Sequence, residues 1–405
     1  LALGGCAKDK CAKIIQKKVY TPVLMAVDDY WASVKSEAPT EIGTVGKIYA
    51  KDQYIFVNDP YRGGIHIIDN SHPASPGNIS FLNIKGNVDI AIKGDYLYAD
   101  SYNNLVVFNI SDPLNARFVK GLPEATGYPT DQNGLPTGWK TSPDSMVIAY
   151  TVRDTSYCDC TVNNPMVLFS SAGAAASYKS VQTGKGGSMA RFAIARDYLY
   201  AVNFSQIKTF DLANAADPVL KSAQNINLGI ETIFPYGEYL FIGGQNAMYL
   251  YDITNPAAPI QRSVVSHFRA CDPVVVEGNK AYVTVRSGGA CAGNINQLQV
   301  FDISNVDNPV ILSTTEMKNP HGLGIDNGKL FICEGQYGLR FIDASDVKNI
   351  TTTKLLEGLE ANDVIPFENQ HRLLISATDG VYQYDYSSMT KPMLLSKIAA
   401  THHYN

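Results

Sequence analysis

The chain has 405 residues, a formal net charge of −5 and a pI near 5.8. That balance offers no basic field to hold a phosphate backbone, so nucleic acid is excluded as a partner, and no run of apolar residues is long enough for a helical membrane span. Hydrophobic residues make up 45% and charged residues 18%, the 24 tyrosines outnumber the 15 phenylalanines, and there are 32 glycines and 20 prolines. Aromatic side chains suit a pleated surface while Gly and Pro punctuate it, so strands and turns are expected rather than helices.

The first ten residues read "LALGGCAKDK". Leu3-Gly4-Gly5-Cys6 resembles a bacterial lipobox, in which small residues precede a cysteine that is lipidated. On this reading residues 1–5 are a signal-peptide remnant, Cys6 carries a covalent lipid as the only attached group, and residues 6–45 form a lipid-anchored arm. Within the arm, "DDYWASVKSEA" reads as one helical segment, with Asp28 or Asp29 near its start and Pro39 past its end.

Residues 46–400 repeat one pattern. Seven apolar runs ("IHIIDN", "LVVFNIS", "IKTFDLA", "MYLYDIT", "LQVFDIS", "LRFIDAS" and "VYQYDYS") each end at an acid or amide: Asp69, Asn109, Asp211, Asp252, Asp302, Asp343 and Asp385. Successive differences are 40, 102, 41, 50, 41 and 42, so the period is about 41. Ahead of each marker lies a second strand ("DQYIFV", "GDYLYA", "RDYLYA", "GEYLFI", "NKAYVT", "GKLFIC", "HRLLIS"), usually with a third apolar run before it. Pro73, Pro113, Pro218, Pro256, Pro309 and Pro392 follow the markers ahead of a fourth run, and only the sixth unit lacks this proline. Four short strands in about 41 residues describe a blade of an all-β propeller, and seven units predict seven blades. The markers have turn chemistry, in which a short side chain bonds the backbone two residues on, so they are structural rather than a catalytic ring.

The interval of 102 places an insertion at about 121–188. Its first part, "GLPEATGYPTDQNGLPTGWK", is too rich in turn formers to be regular, whereas "DSMVIAYTVRD" followed by "MVLFSSAG" suggests an extra hairpin. So long an excursion is a candidate partner-binding flap. The seven cysteines fit an exported protein, and Cys271 and Cys291, which bracket one hairpin, are the expected disulfide. Cys333 in "KLFICEG" reads as a buried strand residue, and residues 401–405 as a tail.

The sequence holds no phosphate loop, HExxH or serine elbow, and "GKGGS" in the insertion lacks the spacing of a phosphate loop. No cofactor or metal site is predicted. Aligning the entry of the innermost strand across the units brings Lys47, Asp89, Arg191, Thr232, Asp272, His321 and Asp363 to equivalent positions at one mouth of the central channel. These are the candidate binding residues, and Asp89, His321 and Asp363 are the acid and base candidates if the channel is catalytic.

The stretch from Tyr20 through "SVKSEAP", "GGIHIIDNSHPASPGNISFLNI" and "NVDIAIKGDYLYADSYNNLVVFNISDP" resembles the LVIVD-repeat lipoproteins of Bacteroidota. It departs from the repeat at Asn109, which replaces the acid, and at "IHIIDN". The resemblance implies a propeller on an outer-membrane lipoprotein and implies no activity. Lys8 and Asp9 after the cysteine resemble part of the export signal that turns such proteins outward. The expected function is a non-enzymatic binding or scaffolding subunit beside an outer-membrane or cell-surface protein. The alternative is a surface glycan- or peptide-binding protein, or a hydrolase or lyase, that takes a small molecule or glycan at the channel face.

Overall fold

The computed structural model describes residues 14–401 apart from 128, 131–132, 159–184, 204, 227–228, 267–272 and 287–294. The protein is a β-propeller. Among the described residues, seven antiparallel sheets follow one another along the chain, each containing one repeat unit as an up-and-down meander of four consecutive strands. The third sheet is typical: Phe192–Ala195, Tyr198–Asn203, Gln206–Asp211 and Val219–Asn225 run from the channel outward. Burial falls along the same direction. Phe192–Ala195 is wholly buried, whereas the outermost strand alternates between exposed and half-buried residues, as expected where one strand face meets water.

The marker residues do what turn chemistry requires. Asp69, Asn109, Asp211, Asp252, Asp302, Asp343 and Asp385 each accept a hydrogen bond from the backbone N–H two residues on, at 2.7–3.0 Å. Just before every marker the register between the third and fourth strands slips by one residue, as at Thr209/Phe210 and Val300/Phe301. A bulge of this kind sharpens the local twist and lets the outer strand splay. The residues flanking a marker have a second task. Phe108 and Ile110 pack on the first sheet, Phe210 and Leu212 on the second, and Phe301 and Ile303 on the fourth. Each fully buried ring is worth about 2–3 kcal/mol of apolar transfer, so the repeat stores its sheet-to-sheet adhesion beside its turn.

The ring closes without sharing a sheet between the two ends of the chain. Ile42, Ile48, Ile55 and Ile68 pack against Ile365, Leu374 and Val381 across the seam, and Thr401 N donates to Ile42 O at 2.9 Å. Asn70 and Gln383, both buried, exchange two side-chain hydrogen bonds of 2.8 and 3.0 Å.

The arm differs from the sequence expectation. The helix covers only Val27–Ser33, and Lys35–Glu37 is a strand that pairs with Phe81–Asn83 on the outer edge of the first sheet. An available sheet edge therefore outcompetes helix continuation for the second half of "DDYWASVKSEA". Ahead of the helix, Ile14–Ala26 forms a long strand paired along its length with Ser145–Cys158 of the insertion, whose near end also pairs with Lys140–Ser142. "DSMVIAYTVRD" thus pairs with the arm, which the sequence did not suggest, and "MVLFSSAG", the other half of the expected hairpin, lies outside the described residues. At about 3.3 Å per residue the 13-residue strand makes a ribbon of about 40 Å. Its root is fixed by Tyr30, which is fully buried, donates to Ser101 Oγ at 2.8 Å and accepts from Asn104 Nδ2 at 2.9 Å. Trp31 stacks beside Phe118 and occupies the space above Gly121.

Candidate functional site

The first sheet carries one strand more than the arm alone explains. Lys185–Gly186, at the end of the insertion, pairs with Tyr49 and Ala50 of the innermost strand and so lies inside the channel. The segment "KGGS" is therefore not a phosphate loop but begins with a short strand inside the channel. Glycine is needed where it passes the wall, because a Cβ on Gly187 would run into the Asp363 carboxylate.

Six of the seven channel-entry candidates lie at this mouth, and Asp272 lies outside the described residues. They do not act alike. Asp363 accepts from Ser188 N at 3.2 Å, Ser188 Oγ at 3.0 Å, Met189 N at 3.3 Å and Val364 N at 3.0 Å. Ser188 Oγ in turn accepts from Leu323 N at 2.8 Å, which ties the channel strand to the sixth sheet. Burial pushes the Asp363 carboxyl up to about 6 against the pull of those donors. Asp89 is bonded by Lys47 Nζ, Arg191 N and Ile90 N. Its neighbour Asp100 takes Val88 N and Asp89 N at 2.8 Å each, and burial raises that carboxyl to about 6. Both carboxylates proposed for acid and base chemistry are thus occupied in fastening backbone.

The remaining candidates surround a void. Lys47, Arg191, Thr232 and His321, together with Met189, Glu231, Pro273 and Arg286, line a cavity of about 100 Å³ beside the channel strand. Burial, and then the Arg286 charge, lowers the His321 imidazole to about 4, so the ring is neutral near pH 7. Burial also lowers the Lys47 ammonium; Asp89 opposes that shift and Arg191 adds to it. At the far end of the channel a larger space of about 430 Å³ is bounded by Phe234, Tyr236, Val276, Ile325, Ile365 and Pro366, with Lys185 reaching Pro366 O at 3.0 Å.

Sequence reasoning missed Arg286, Glu231 and the channel strand. Arg286 directly follows the second strand of its unit, Lys280–Val285. Comparing the residues that follow the second strands, as well as the starts of the first, would have brought it to the same mouth. Cys333 is buried and unbonded as expected, and burial, with Asp363 nearby, raises its thiol well above the usual range. Cys6, Cys271, Cys291 and the tail from His402 lie outside the described residues, so neither the lipid attachment nor the disulfide is placed.

Residues 86–119 and 232–265 match the LVIVD repeat model, and these stretches fall in the second and fourth sheets. No curated protein matches the sequence. Solved structures with the same fold include the periplasmic gluconolactonase PpgL of Pseudomonas aeruginosa, at 9% identity and TM-score 0.58 over 89% of this chain and 98% of that one. A protein from Lactobacillus plantarum has 11% identity and TM-score 0.57 over 89% and 97% of the two chains. A putative 6-phosphogluconolactonase of Bacteroides fragilis has 8% identity and TM-score 0.56 over 91% and 96%. At such identities the likeness is one of fold, and the chain is a β-propeller with LVIVD repeats in two of its sheets.

Proposed function

We propose that this protein is a non-enzymatic binding subunit of the bacterial outer membrane, held by a lipid on Cys6, facing the cell exterior and scaffolding an envelope protein complex. One observation carries the non-enzymatic reading: Asp89 and Asp363, the carboxylates a channel hydrolase or lyase would use, are engaged by three and four donors that hold the channel strand and the strand entries. A general acid or base has to reach its substrate, and these two reach the backbone instead. The ribbon supports the tethered reading. A strand of 13 residues, paired throughout and rooted by Tyr30, would serve as a stiff stalk between the propeller and a lipid on Cys6.

Affinity isolation from detergent-solubilised membranes of the native host tests this proposal. A partner recovered in roughly stoichiometric amount is the expected result. Recovery of the free chain alone, at native expression level, would overturn it.

A further inference from the structure

Among the described residues, the entry chamber gathers more cationic side chains than acidic ones. Three cationic side chains, Lys47, Arg191 and Arg286, line one cavity of about 100 Å³. Lys47 is neutralised by Asp89. Among the described residues, neither the Arg191 nor the Arg286 guanidinium has a carboxylate within ion-pair distance. Glu231, the one acid among the described lining residues, favours the Arg286 charge from beyond ion-pair distance and accepts from Gln245 Nε2 at 3.0 Å. The like charges act on their neighbours, since Arg191 disfavours the Lys47 ammonium and Arg286 disfavours a charged His321. Two planar guanidinium forks that line one cavity without a carboxylate partner are suited to an oxyanion.

The wall supplies further donors. With Asn319 Nδ2 donating to His321 Nε2 at 3.1 Å, the neutral imidazole keeps its proton on Nδ1. Thr284 Oγ1 fixes the His321 backbone by donating to its carbonyl at 2.7 Å. Met189 belongs to the segment held by Asp363, so the channel strand closes one side of the chamber.

We propose that this chamber binds a small oxyanion, the carboxylate or phosphate group of a small molecule, between Arg191 and Arg286. The site is independent of the scaffolding role: a scaffold could carry it as a ligand sensor, and it would stand if no protein partner were found.

Calorimetric titration of the full chain at constant ionic strength tests the site with inorganic phosphate and with succinate as probes, against chloride as the control anion. Saturable binding of either probe is expected; phosphate alone points to a phosphate ester, and succinate alone to a carboxylate. Arg191→Gln and Arg286→Gln should each weaken binding roughly tenfold or more, the effect of losing one charge-assisted contact. Glu231→Gln should strengthen it, an opposite sign that survives even if an arginine variant folds poorly. Arg262→Gln, at an exposed ion pair with Asp252 and Asp307, should leave it unchanged. No saturable binding of either probe, or binding unaffected by all three chamber substitutions, would overturn the proposal.

Discussion

Asp363 offers a quantitative test of how the channel is held. Its carboxyl lies at about 6 in the folded chain against an ordinary value of 3.8, because burial outweighs the four donors that surround it. A shift of ~2 units corresponds to about 3 kcal/mol, and the sign follows from which state holds the proton more tightly. Below about pH 3 the group is largely protonated in both states and the folded chain keeps the full benefit of its neutral form. As pH rises, the unfolded chain ionises first, so that benefit drains away until the folded group also ionises near 6; above that it is constant. Asp363→Asn is neutral throughout and keeps an acceptor for Ser188. Urea unfolding of both proteins should therefore show wild type losing about 2 kcal/mol relative to the variant between about pH 4 and pH 7. A difference that does not vary with pH, or one in which wild type gains, would refute the claim that burial dominates at this carboxylate.

Gly187→Ala places a methyl against the Asp363 carboxylate, so it should release the channel strand; amide exchange at Lys185–Ser188 is expected to quicken while exchange in Tyr198–Asn203 is unchanged. Asn70→Ala and Gln383→Ala each leave a buried amide without its partner at the ring seam and should cost about 1–3 kcal/mol in denaturant unfolding. The double variant should cost less than the sum, because both remove the same pair. Tyr30→Phe keeps the ring but loses the bonds to Ser101 and Asn104, so the ribbon root should weaken by about 1–2 kcal/mol and limited proteolysis within Ile14–Ala26 should accelerate.

Much of the propeller was legible because its information is local and repeated. Every unit writes its third strand, its turn acid or amide and its outer strand within about twenty residues, so Asp211 or Asp302 can be recognised without knowing what packs on it. The same periodicity located the channel mouth, since Lys47, Arg191 and His321 occupy matched places in their units. What stayed hidden depends on pairing between distant segments. Val19 faces Arg153 in the ribbon, and nothing in either stretch names the other. Lys185–Gly186 is too short for any alternation to show, and its place is set by a groove already lined by Tyr49 and Asp363. The helix expected through "SVKSEA" stopped early for a related reason: an open edge at Phe81–Asn83 was waiting for Lys35–Glu37.

The proposed role depends first on an address, a propeller held at a membrane through Cys6. Intact-mass measurement of the chain purified from its native host tests this most directly. The expected species begins at Cys6 and carries the added mass of covalent acyl chains, lost when Cys6 is replaced by alanine. An unmodified chain still carrying Leu1–Gly5 would contradict it.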